Sequence, residues 1–174
     1  QSASAEHPVL RAHRLAVGFY NEDPETGKIV RTDQFELDVD GELTIVEAAA
    51  GKARPALILV NDDDLTYTKL RFDEKSLKFA AENLYRFDDA LARSVIWLEF
   101  WDMTRDGELP AKQFIETSLA ALATEHESTT FRYALAQVST TAWHYTAPAD
   151  RAEVVEHVAA ELFKLAQSAE AGSD

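Results

Sequence analysis

The chain is predicted to be α+β with two segregated domains: an all-β immunoglobulin-like sandwich over 1–73, then an all-α array of antiparallel, solenoid-like helix pairs over 74–174. Three observations carry this. Short strand-like runs punctuated by turn signals fill the first part, apolar residues recur at helical spacing after Asp73, and the connections in the second part are short.

The first strand is Leu15 to Tyr20, separated from a second over Lys28 to Val39 by Asn21-Glu22-Asp23-Pro24-Glu25-Thr26-Gly27, which holds Pro and Gly where a turn needs a fixed or positive φ. Phe35, Leu37 and Val39 alternate with Glu36 and Asp38, placing the apolar three on one sheet face. Asp40-Gly41 is a tight-turn signal before a third strand, Leu43 to Val46. Leu57 to Val60 and Tyr67 to Phe72 complete about five strands, the pattern of a small antiparallel sandwich.

Helices follow. Leu77, Ala81 and Leu84 are spaced i, i+4, i+7, as are Leu91, Val95 and Leu98, then Ile115, Leu119 and Leu122, then Phe131, Leu135 and Val138. A fifth helix opens at Asp150, whose pairing with Glu153 is a variant capping box, and Val154, Val158, Leu162 and Leu165 continue its stripe. The second helix, Asp89 to Met103, is apolar nearly all round. It is therefore placed centrally, with Trp97, Phe100 and Trp101 as packing rather than a cofactor box. Phe87-Asp88 and Arg105 to Leu109 are connections typical of antiparallel neighbours.

Composition narrows the function. The 174 residues carry 17 Lys and Arg against 31 Asp and Glu, a formal charge of -14. Such a chain repels nucleic acid and anionic membrane surfaces, so neither is expected as a partner. Basic and acidic residues number 8 and 14 before Glu74 and 9 and 17 from there on, so the acidity is general rather than a tail. No cysteine occurs, which excludes disulfides, thiolate metal sites and a cysteine nucleophile and fits a reducing compartment. Gln1 to Glu6 lacks the regions of a signal peptide, and the expected location is cytoplasmic. The longest apolar stretch, Val95 to Met103, falls short of the ~20 residues that cross a bilayer.

Most catalytic signatures fail. His126-Glu127-Ser128-Thr129-Thr130 lacks the second histidine of a zinc helix and reads as a helix start capped by Ser128 or Thr129. His7, His13, His144 and His157 are isolated in sequence, and neither a phosphate loop nor a nucleophile elbow is present. The most suggestive stretch is Asn61-Asp62-Asp63-Asp64. An EF-hand loop needs ligands at alternating positions, a glycine at the sixth and a glutamate at the twelfth, whereas these acids are consecutive. Asn and Asp also favour turns by bonding their own backbone, so the four residues read as a structural turn. No catalytic, cofactor-binding or metal residue is assigned.

Several stretches nevertheless carry a resemblance: "PVLRAHRLAVGFYN", "VDGE", "RPALILVNDDDLTYTKLRFDEKSL" and "DDALARSVIWLEFWDMTRDGELPAKQFI". Together they resemble the C-terminal part of the actinobacterial aminopeptidase N family, zinc-dependent peptidases of the gluzincin type. The similarity runs from about Pro8 to Ile115 and more weakly to Glu161. It implies a β-sandwich whose first strand lies before Gln1, followed by the first helices of a larger domain that closes over the active site. It also implies that the partners are the N-terminal and catalytic domains of the same chain and, in the parent, peptide substrates. The family's zinc polarises the scissile carbonyl while a glutamate acts as general base. Its His-Glu-x-x-His helix and Gly-x-Met-Glu-Asn stretch are absent here, so the zinc belongs to the parent and this part should be inactive. An independent peptide-binding or protein-binding scaffold, with no peptidase attached, is the alternative.

Overall fold

The computed structural model of the chain describes Gln1 and residues 6–169; residues 2–5 of the polar start lie outside the described residues. The order is three strands and then five α-helices, an α+β arrangement. The chain divides into two compact units, Gln1–Ala80 and Ala81–Asp174.

In the first unit, β1 (His13–Glu22) is central, with β2 (Ile29–Val39) and β3 (Leu57–Asp62) antiparallel on either side. The β1–β2 turn forms as its residues dictate: Asp23 Oδ1 accepts from Glu25 N at 2.8 Å, and Gly27 takes a φ of 70°. Register puts Val17 opposite Phe35 and Leu15 opposite Leu37, so the alternation in β2 meets Leu15, Val17 and Phe19 on one face. Phe19 and Phe35 pack edge to face, with centroids 5.1 Å apart. Ile58 and Val46 join this layer. The opposite face of β1 is also covered, so Leu15 to Tyr20 form a run of six buried residues.

Two expected strands are corrected. Residues 43–46 are coil, with Leu43 and Ile45 exposed. The chain leaves β2 through Gly41, while the Thr44 hydroxyl donates to Asp40 O at 3.2 Å, closing a local loop in place of a ladder. Residues 67–72 are also coil, and Tyr67 is fully exposed. The cause lies just upstream, where the Asn61 amide donates to Thr66 O and accepts from Thr66 N, at 2.8 and 3.0 Å. A side chain thus closes a local loop at Thr66, where the expected strand would have started to pair.

The helices are α1 (Glu74–Asn83), α2 (Ala90–Arg105), α3 (Ala111–Leu122), α4 (Ser128–Thr140) and α5 (Arg151–Ser168). Asp73 caps α1, accepting from Lys75 N and Ser76 N at 3.1 Å each. The buried face of α1 is Ser76 and Ala80, continued by Leu84, rather than Leu77 and Ala81. The Ser76 hydroxyl turns inward because it donates to Asp73 at 2.7 Å and accepts from Ile58 N at 3.1 Å.

On α2 the buried residues include Ala92, Val95, Ile96, Glu99, Phe100 and Met103, one broad face of period 3.6, with Trp97 and Thr104 beside it. Leu91 and Leu98 are 44% and 53% exposed, so the helix is not enclosed all round. Its apolar stripe is offset from the expected one, because the small residue Ala92 and the longer Ile96 pack inward where Leu91 and Leu98 do not. Trp101 is half-buried against Phe114 and Tyr145. A five-residue π-helical turn, Thr141–Tyr145, follows α4. Two expected caps do not form. Glu127 rather than Ser128 or Thr129 is the N-cap position of α4, and Asp150 makes no side-chain cap bond at α5. No helix among the described residues is long and apolar enough to cross a membrane.

Candidate functional site

The residues from Asn61 to Asp64 leave the end of β3 in unusual conformations: Asn61, Asp63 and Asp64 have φ of 57°, 66° and 53°. Asn and Asp tolerate this left-handed region better than other side-chain-bearing residues, which accounts for the composition of the loop. Asp64 N donates to Asn61 O at 3.0 Å and the Asn61 amide holds Thr66, so the loop is tied to itself.

The structure sends Asp62 and Asp63 back across the sheet. The Asp62 side chain is 1% exposed. Its Oδ1 accepts from Tyr20 Oη at 2.7 Å, and its Oδ2 from Arg31 Nη1 at 2.8 Å and Gln34 Nε2 at 3.2 Å. The same two nitrogens also serve Asp63, at 2.7 Å from Arg31 and 2.6 Å from Gln34. One guanidinium nitrogen and one amide nitrogen therefore clamp two carboxylates. The hydrogen bonds from Gln34 and Arg31 hold the Asp63 carboxyl below the usual carboxylate range, and those to Asp62 and Asp63 raise the pKa of Arg31.

Gly18 makes this possible. Gln34 lies opposite it on β2, and Asp62 folds over it from β3. A Cβ added at Gly18 would stand 2.7 Å from Asp62 Cγ and 2.8 Å from Tyr20 Cε2. A glycine inside a strand marks such a close approach, and this was the signal in the sequence for the partners of Asp62. Tyr20, Arg31 and Gln34 carried no signal of their own, because their convergence depends on strand register.

Of the histidines isolated in sequence, His13 lies on β1 with Nδ1 2.7 Å from Thr66 Oγ1, next to the same loop, and His157 of α5 stands 3.1 Å from Glu116 of α3. Among the described residues no three His, Asp or Glu side chains are gathered as metal ligands.

The second unit has its own charged centre. Arg93 on α2 forms a bidentate pair with Glu125, Nε to Oε2 at 2.9 Å and Nη2 to Oε1 at 3.0 Å, and its Nη1 donates to the carbonyls of Phe87 and Asp88. Glu125 Oε1 also accepts from the His126 and Glu127 amides, both at 2.9 Å. Side-chain exposures are 14% for Arg93 and 1% for Glu125. Burial pushes the Glu125 carboxyl up, but the bonds from Arg93, Glu127 and His126 outweigh it and the pKa is lowered. The pair joins the connection entering α2 to the turn between α3 and α4.

Two comparisons bear on what these units belong to. The family described as ERAP1-like C-terminal domain matches residues 57–174. The chain is also 42% identical, over 167 residues, to an aminopeptidase N of Streptomyces lividans; the match covers 96% of this chain and 19% of that protein. The chain thus spans less than a fifth of the length of this relative.

Proposed function

From a chain that belongs to the ERAP1-like C-terminal domain family, we propose a non-catalytic portion of a zinc-dependent aminopeptidase that removes N-terminal residues from peptides in the cytoplasm. The observation that carries this is the 42% identity to aminopeptidase N along nearly the whole chain. The residues do not fit a zinc site of their own, since no ligand group is gathered among those described. In this reading the metal belongs to the larger protein, as the likeness to aminopeptidase N suggests, and no chemical step is assigned to this part.

In this proposal the three-stranded sheet belongs to a larger immunoglobulin-like sandwich over 1–73, and the helices begin a solenoid-like stack over 74–174. Asn61 to Asp64 serve as a structural corner that holds β3 against β1 and β2, because Arg31 and Gln34 engage both Asp62 and Asp63 and Tyr20 engages Asp62. The helical unit forms part of the wall of a peptide-access chamber and closes it, admitting short peptides rather than folded proteins. Its acidic surface favours cationic peptide N-termini.

The test compares this chain alone, the full-length aminopeptidase, and a full-length variant with the helical unit removed, on substrates from an aminoacyl fluorophore to long peptides. The chain alone should show no turnover with or without zinc, and the truncated enzyme should lose its discrimination by length. Zinc-dependent turnover by the chain alone would overturn the non-catalytic assignment. An unchanged length profile in a folded truncated enzyme would overturn the chamber role.

A further inference from the structure

The tetrapeptide Asp-Gly-Glu-Leu occurs twice, as Asp40 to Leu43 and as Asp106 to Leu109. An aspartate followed by glycine is prone to attack by the glycine nitrogen on the aspartate carboxyl, because glycine leaves that nitrogen unhindered. With the same following residues, the two copies have closely matched intrinsic chemistry in an unfolded chain.

The fold separates them. Just beyond β2, Gly41 N lies 2.8 Å from Asp40 Oδ1, so the two groups that would close a five-membered ring are already side by side. Asp40 and Asp106 are both exposed, and nothing lies within 4 Å of where a Cβ on either glycine would stand, so the copies differ in what the glycine nitrogen bonds to. At the other copy, Gly107 N donates to Thr104 O at 3.2 Å, and Glu108 N and Leu109 N both donate to Met103 O, at 2.8 and 3.1 Å. Gly107 has a φ of 77° and forms the left-handed C-terminal cap of α2. Its nitrogen is committed to that cap.

We propose that Asp40 is a site of spontaneous isoaspartate formation and that the helix cap protects Asp106. Gly41 N bonds to Asp40 Cγ, the amide proton and the carboxyl hydroxyl leave as water, and a succinimide results. Water then opens the ring. Addition at the main-chain carbonyl carbon gives isoaspartate, with the chain running through the former side chain, while addition at Cγ restores aspartate. The product carries an extra backbone methylene where β2 ends, and no oxidant or cofactor takes part.

The test is ageing of the whole chain in mildly acidic buffer at physiological temperature, followed by trypsin, which releases Thr32–Lys52 and Asp106–Lys112. Isoaspartate is read as equal-mass peptides separated by chromatography and located by electron-transfer fragmentation. In the folded chain it should accumulate at Asp40 at least about tenfold faster than at Asp106, since reaction at Gly107 must wait for the cap to open. In concentrated urea the two rates should converge. Asp40→Glu, which would need a six-membered ring, should remove the signal from its peptide and so exclude Asp33 and Asp38 as its source. Equal rates in the folded chain, an equally large difference in urea, or a signal that survives Asp40→Glu would each overturn the proposal.

Discussion

Removing the carboxylate of Glu125 should unfold the helical unit more readily than any surface change of the same size. Breaking a buried pair by deleting one partner typically costs about 3–5 kcal/mol, because the other charge is left uncompensated. Here Arg93 keeps the carbonyls of Phe87 and Asp88 and is 14% exposed, which places the loss toward the lower end, about 3 kcal/mol. Two amides, His126 N and Glu127 N, also lose their acceptor. With a urea slope of about 1–1.5 kcal/mol/M for a unit of this size, the midpoint of Glu125→Ala should fall by about 2–3 M. The assay is direct, since Trp97, Trp101 and Trp143 are the chain's three tryptophans and all lie after Ala80. Their fluorescence follows the helical unit, while far-UV circular dichroism follows both units. Glu125→Gln keeps the side-chain size and one acceptor oxygen, so it should fall between Ala and wild type. The pH dependence has a definite sign. The Glu125 pKa is lowered in the folded state, so its contribution is present above the ordinary glutamate range, about pH 4.3, and is lost as pH falls through the folded value. Glu125→Gln should therefore show a shallower loss of stability on acidification. A Glu125→Ala midpoint within about 0.5 kcal/mol of wild type would refute the idea that this pair holds the turn between α3 and α4.

Three further changes test other contacts. Gly18→Ala should cost about 1–3 kcal/mol by overpacking against Asp62 and Tyr20, and coupling to Asp62→Ala in a double-mutant cycle should recover part of it; additive costs would separate Gly18 from Asp62. Trp97→Ala should cost about 3–5 kcal/mol at a position 2% exposed, whereas Leu98→Ala should stay within about 0.5 kcal/mol; comparable urea midpoints for the two would contradict the observed face of α2. Asp73→Ala should cost about 1 kcal/mol through loss of the α1 cap, with Asp73→Asn much milder, and equal melting of all three proteins would show that the cap contributes nothing.

Local rules read the sheet well where both strands announced themselves. Phe35, Leu37 and Val39 alternate, and in the expected hairpin Val17 and Leu15 stand opposite the first two while Phe19 packs in the same layer. The strand reading overreached at Tyr67 to Phe72, because strand-forming residues say that a segment could lie on a sheet and not that it joins the ladder. Helices were recognised by period, but their buried faces were harder to place. Leucine is the usual mark of the inside, yet Ala92 and Ser76 point inward while Leu91 and Leu98 do not. Buried centres were the least legible. The oxygens of Asn61 to Asp64 were visible as a cluster, but Tyr20, Arg31 and Gln34 meet them only through the register of three strands. Arg93 and Glu125 are 32 residues apart and neither sits in a motif.

The unbroken burial of Leu15 to Tyr20 within β1 has a consequence for how the chain finds its alignment. A strand that alternates polar and apolar residues is locked in register, because a one-residue slip exposes its apolar set. Leu15 to Tyr20 has no such alternation, so its own polarity does not penalise a slipped pairing, and the alternation of β2 guards only one side. Gly18 supplies the missing discrimination. Every other residue of that run carries a Cβ, and any of them moved beneath the Asp62 carboxylate would displace it from Arg31, Gln34 and Tyr20. The knot of charge over a single glycine acts as a gauge, closing only when the three strands are in step.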